Sequence, residues 1–303
     1  MPRVNKIVPA AGLAALLAVS VITPASTASG STGGSAQAGV GALWRSPVEV
    51  NKAMVAYYYD QLFNHGNYAV IDQYVSPDLI QHNPGVADGA EAQRKAVMGL
   101  RAQFPNSQSP IIRVIGQGDL VLLQHQSILV PGTAGSAVMD IFRVSHGKIV
   151  EHWDAVQTVP ATTASGNDMF AELSTSGDQS TLHSEAVVLG YYSRLTTGHD
   201  LRAVDRYVSP SLIQHDPALP NGSAAVKAAF AARLQANPQL RYSSLQVIAD
   251  HDLVSLRYHV QNGPNDLGQA VNDIYRVSHG KIVEHWNVVQ NVPATSANDN
   301  TMF

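Results

Sequence analysis

The chain has 303 residues, a net charge of −4 at pH 7, 45% hydrophobic and 14% charged residues, and no cysteine. A mildly acidic protein without a basic stripe draws neither nucleic acid nor an anionic membrane surface. The lack of cysteine excludes disulfides, thiolate nucleophiles and Cys-ligated zinc, while the length and apolar content allow two domains with full cores.

In chain order, Arg3 and Lys6 precede an apolar stretch, residues 7–22, and then Pro24-Ala25-Ser26-Thr27-Ala28. This reads as a secretory signal over residues 1–28, because the apolar run falls short of the roughly 20 residues that span a bilayer. A secreted or periplasmic protein with no membrane attachment after cleavage is expected. Residues 29–45 are rich in Gly and Ser and predict a flexible leader. A first domain is predicted over 46–165. Val50, Met54, Tyr58 and Leu62 recur at i+4 with Val55 beside them, the stripe of a helix that Gly66 stops. A short helix follows over 69–74 and ends at Ser76-Pro77. The segment Ile80-Gln81-His82-Asn83-Pro84 leads to a third helix over 90–103. Alternating apolar residues broken by Gly, Pro and Asp predict strands at 111–115, 120–130, 137–145 and 148–157. After a linker at 166–180 the same elements are predicted over 181–303, opening on Val187, Val188, Tyr191 and Leu195 before Gly198.

The second half repeats the first. The stretch DIFRVSHGKIVEHW, residues 140–153, returns as DIYRVSHGKIVEHW at 273–286, with Phe142 against Tyr275 as the single change. At the same offset of 133 residues, Leu79-Ile80-Gln81-His82 matches Leu212-Ile213-Gln214-His215. The tail Asn167-Asp168-Met169-Phe170 likewise matches Asn300-Thr301-Met302-Phe303. A period this long marks two whole domains. Three helices before a meander of strands predict an α+β fold, with helices on one face of a curved, mostly antiparallel sheet and a cavity between them.

IQHNP (residues 80–84) with Asp88-Gly89, GDLV (118–121) and DIFRVSHGKIVEHWD (140–154) together resemble the SnoaL-like polyketide cyclase family of the nuclear-transport-factor-2-like superfamily. The resemblance spans residues 50–157 and 186–290. It implies two tandem cone-shaped α+β barrels, each with a deep apolar pocket, and pairing of such domains through their sheets, here expected within the chain. It also implies aldol-type ring closure or isomerisation of a carbonyl compound without a cofactor, with Asp140 and Asp273 as acid–base groups. The copies differ on the strand after GDLV, where Gln124 and Gln126 face Arg257 and His259, and Asp154 becomes Asn287.

A carboxyl group walled by apolar side chains has its ionised form disfavoured, which suits a general acid or base. The plainer reading is an Asp that bonds backbone at a strand start. His82 and His215 are expected at the cavity mouth, or else satisfied by backbone in their Asn-Pro and Asp-Pro turns. The placement of His152 and His285 depends on hairpin register. A three-residue turn ending at Gly147 sets Asp140 opposite His152, the preferred form; a two-residue His146-Gly147 turn sets it opposite Trp153. The expected pocket lining is Tyr58, Gln124, Gln126, Phe142 and Trp153 in the first half, and Tyr191, Arg257, His259, Tyr275 and Trp286 in the second. The ligand would be a small apolar molecule with a carbonyl or hydroxyl. His82, His125 and His152 lack HxH or HxxxH spacing, so no metal is expected. An enzyme would bury its Asp in an open cavity within hydrogen-bond reach of His or Tyr, a binding module would tie the Asp to backbone, and a structural protein would show packed cavities.

Overall fold

The computed structural model describes residues 46–171 and 179–303; the expected signal and leader, and residues 172–178, lie outside them. The first half runs α1 (Pro47–Phe63), α2 (Ala69–Tyr74), β1 (Val75–Gln81), α3 (Ala90–Gln103), β2 (Ile111–Gln117), β3 (Leu120–Ser127), β4 (Ser136–Ser145) and β5 (Lys148–Thr158). The second repeats it as α4 (Thr181–Thr196), α5 (Arg202–Tyr207), β6 (Val208–Gln214), α6 (Ser223–Ala236), β7 (Arg241–Asp250), β8 (Leu253–Gln261), β9 (Gln269–Ser278) and β10 (Lys281–Asn291). Local signals explain the start of α1: the Ser46 hydroxyl accepts from Glu49 N–H and Pro47 opens the helix, a cap worth about 1 kcal/mol.

Each half is a five-stranded mixed sheet, ordered β1-β5-β4-β3-β2 and β6-β10-β9-β8-β7. The fold is α+β as expected, and among the described residues each sheet is open, with two edges, and does not close into a barrel. The sequence reading also missed β1 and β6. Both contain Ser-Pro, and proline removes a ladder donor, which is tolerated here because each is an edge strand. They run parallel to β5 and β10.

The central strands are buried on both faces because each face has its own cover. In β4, Phe142 and Val144 turn toward the helices and join Val55, Tyr58, Leu62 and Val97 in the first core. Met139 and Ile141 turn the other way, into a cluster drawn from both halves that includes Trp153, Met169, Phe170, Ile274 and Trp286. Along this seam the halves exchange equivalent bonds: Gln290 Oε1 accepts from Val156 N–H and Gln157 Oε1 from Val289 N–H, each at 2.8 Å. The tails are also exchanged. Asn167 Nδ2 donates to Gln214 O of the second half, and Asn300 Nδ2 donates to Gln81 O of the first. Residues 166–171, expected as the start of a linker, are therefore part of the seam.

Lys52 crosses to Asp250 at 2.7 Å. Burial alone would raise the Asp250 carboxyl, but the Lys52 bond and the Gly116 N–H hold it below its ordinary value of 3.8. A depressed carboxylate stabilises the fold above its unfolded pKa and loses that contribution as pH falls through the folded one. Wild type is thus expected to melt above Asp250→Asn at pH 6, with the gap closing below pH 3.8; thermal scans at low salt measure it.

Candidate functional site

Hairpin geometry sets which side chains reach the helix-covered face. His146 and Gly147 both have positive φ, 50° and 72°, the two-residue turn that matches strand twist. The pairing then slips: Ser145 faces Lys148 and Val144 faces Ile149, but Arg143 faces Glu151, leaving Val150 as a bulge. Asp140 consequently faces Asp154, and not His152 or Trp153. This corrects both registers drawn from the sequence. The extra residue restores the parity that the two-residue turn had reversed, so Asp140, His152 and Asp154 share one face. Trp153 and, by repetition, Trp286 turn to the seam.

In the second half Asp273 is 2% exposed. Its Oδ2 accepts from Tyr258 OH at 2.6 Å and Tyr275 OH at 2.8 Å, and its Oδ1 lies 3.0 Å from His285 Nε2. Burial and the nearby Asp273 charge push both phenols well above their ordinary value, so they remain donors. His285 Nδ1 lies 2.9 Å from Gln214 Oε1. That oxygen is identified as the acceptor because Asp216 N–H also donates to it at 2.9 Å. The Nδ1 position therefore carries a proton, and the Nε2–Oδ1 contact needs another. That hydrogen bond ties the carboxylate to the imidazole as a dyad. Beside them opens a cavity of about 230 Å³, lined by apolar side chains such as Leu195, Val226 and Phe230 and by Tyr191, Tyr242 and Arg233. Burial pushes the Tyr242 phenol up to about 12.

The first half keeps the dyad and closes the cavity. Asp140 Oδ1 lies 2.9 Å from His152 Nε2, and Oδ2 lies 2.6 Å from His125 Nε2, which Tyr59 OH meets at 2.7 Å. Gln81 Oε1 orients His152 through Nδ1 at 2.7 Å. Burial alone would raise the Asp140 carboxyl, but His125 and His152 hold it well below the usual carboxylate range. The chamber here measures about 10 Å³, room for about one water. Phe63 and Gln93 line it where the second half has Thr196 and Val226. Asp140, expected as a proton carrier, has no space beside it for an organic substrate.

Other expected residues lie elsewhere. His82 and His215 are absent from the cavity: their rings stack on Trp153 and Trp286 at 4.8 and 4.7 Å. Their Nε2 atoms face Glu151 and Glu284, each at 3.0 Å. Their Nδ1 atoms donate to Thr301 O and Asp168 O across the seam. Gln124 and Arg257 are buried on the seam face, where Gln124 donates to Met169 O and Arg257 to Met302 O. Gln126 donates to Ala134 O, and His259 donates to Leu267 O and stacks on Phe303. Alternation explains the error, since the inward positions are His125 and Tyr258, one residue along. Tyr58 is packed against Phe142 in the core, ring centroids 6.3 Å apart, whereas Tyr191 and Tyr275 line the cavity. Gln81 and Gln214 were overlooked as orienting groups, although their repetition beside each His was visible in the sequence.

A sheet-and-helix cone with a carboxylate at its floor, present twice, defines the class as nuclear-transport-factor-2-like. The SnoaL-like polyketide cyclase family matches residues 53–164 and the SnoaL-like domain family matches 188–285. The chain belongs to the SnoaL-like family, as two domains in tandem. Such domains generally bind small-molecule substrates, and the family points to binding or to cyclase or isomerase activity. Among solved structures, IdmH from Streptomyces antibioticus, described as a candidate polyketide cyclase, is 19% identical over 35% of this chain and 91% of its own, with a TM-score of 0.30. TsrD from Streptomyces laurentii is 18% identical over 36% and 89%, TM-score 0.31. An NTF2-like protein of unknown function from Mesorhizobium loti is 18% identical over 38% and 97%, TM-score 0.32. No curated protein matches the chain.

Proposed function

We propose that the second half is a cofactor-independent acid–base catalyst of cyclase or isomerase type, acting on a small, largely apolar carbonyl compound. The observation that carries this is the buried Asp273–His285 dyad opening onto the 230 Å³ cavity. A substrate carbonyl entering the cavity displaces one phenol from Asp273 Oδ2. That phenol then donates to the carbonyl oxygen, and the freed Oδ2 removes the adjacent C–H proton. The electron pair of that C–H bond becomes an enolate held by the phenol. Attack on a second carbonyl closes a ring, and the new alkoxide takes the proton from Asp273. In isomerisation the same proton returns to another carbon. The first half would then serve as support and not as a second catalyst.

The full chain, incubated with a carbonyl-rich small-molecule extract and followed by mass spectrometry, tests this. Wild type and Asp140→Asn should convert a bound compound at similar rates, and Asp273→Asn should lose roughly 10²- to 10⁴-fold. Compounds returned unchanged by wild type would leave the alternative, a binding module.

The same reading takes the chain as exported and its two halves as one internally paired unit. Among the described residues no helix is long and apolar enough to cross a membrane. Protein recovered from culture medium should begin near Ser29 on N-terminal sequencing; an intact Met1 start there would refute cleavage.

A further inference from the structure

We propose that the closed chamber of the first half binds a single zinc-class divalent ion through Asp140, His152 and Asp154. All three are buried, and their ligand atoms lie within 4.8 Å of one another. His152 Nε2 and Asp140 Oδ1 are 2.9 Å apart. Tetrahedral ligands about 2.1 Å from zinc stand about 3.4 Å apart, so this hydrogen-bonded pair would part by about half an ångström to hold an ion. The chamber's 10 Å³ fits an ion and no organic molecule.

An independent observation points the same way. Asp154 is 2% exposed and lines the chamber. One carboxylate oxygen accepts from Asn83 Nδ2, but Oδ1 is buried without a partner. A bare carboxylate oxygen in a dry interior is costly. Asp140 and Asp154 bring two carboxyl groups to one chamber. His152 is prepared as a ligand: its Nδ1–H donates to Gln81 Oε1, which presents Nε2 to the chamber. Metal-bound histidines generally carry this second hydrogen bond to a carbonyl. Mixed nitrogen and oxygen donors favour a first-row ion over calcium or magnesium. The Arg257 guanidinium is bonded from the seam to the Asp154 carbonyl and does not line the chamber.

The second half is an internal control. Asn287 stands where Asp154 does, and there the amide donates to Asp216 Oδ2 at 3.0 Å, the Asn83–Asp154 pair with its roles reversed. The second carboxylate is thereby moved from the β10 position to Asp216, and an amide oxygen, a weaker metal ligand than a carboxylate, stands at 287, while Asp273 is committed to two phenols and His285.

The full chain, stripped with chelator, is titrated with zinc sulfate by calorimetry, and bound metal is counted by mass spectrometry. One zinc per chain and a raised melting temperature are expected. Asp154→Asn, which installs the second half's residue, should abolish that site, and Gln81→Ala should weaken it roughly 10- to 100-fold. Asp273→Asn should bind zinc as wild type does, which separates this test from that of the catalytic proposal. Should Asp154→Asn fold poorly, X-ray absorption on the wild-type zinc complex decides: one imidazole with oxygens supports the assignment. No saturable binding, equal binding by a folded Asp154→Asn, or a shell of three imidazoles overturns it.

Discussion

Thr196→Phe is expected to abolish small-molecule binding by the second half while leaving the fold intact. Thr196 stands where the first half has Phe63, whose ring lies 4.6 Å from that of Tyr59 and fills the space that the second half leaves open. The substituted ring would project from the last turn of α4 into the 230 Å³ cavity. Filling an apolar cavity adds contacts, and the lost bond from Thr196 Oγ1 to Tyr192 O only back-bonds within the helix. Melting temperature should therefore hold or rise while affinity for a naphthalene-type fluorescent probe falls about 100-fold, near 2.7 kcal/mol. Unchanged probe affinity would place the ligand elsewhere.

Trp286→Ala should produce the largest loss of stability, about 3–5 kcal/mol. Trp286 is 0% exposed, stacks on His215 and carries the Arg113 guanidinium 3.9 Å over its ring. Its cluster combines residues from both halves, so truncation would open a void against each sheet. The loss should appear as one shifted transition in urea unfolding followed by circular dichroism, with both halves affected together. Loss confined to the second half, or below about 1 kcal/mol, would show that the seam contributes little to holding the halves.

Much of this was legible because local signals agreed with the final structure. The i+4 stripe of α1, the alternation of β3 to β5 and the repeated fourteen-residue hairpin each carry their own period. The hairpin also marked Asp140 and Asp273, since a carboxyl group inside an apolar strand needs partners. Parity was harder. One bulge at Val150 changes the register of the hairpin, and a bulge has no strict sequence signature. Gln124, Gln126, Arg257 and His259 were misplaced for the same reason, because an error of one residue moves a side chain through the sheet. His82 and His215 were misplaced for another: their partners, Thr301 O and Asp168 O, come from the exchanged tail of the opposite half.

The sequence by itself determined the duplication, the α+β class, the family and the acid at the centre of each half. The family came from the resemblance of its motifs, the duplication from the repeat at 133 residues, and the rest from periodicity and residue type. The tertiary structure decided that one half is open and the other shut, and that the expected pocket histidines His82 and His215 belong to the seam. Cavity volume is what remains after Phe63 or Thr196, Gln93 or Val226, and the sheet beneath them have taken their space. That difference arises among side chains from separate elements, and no stretch of sequence contains it.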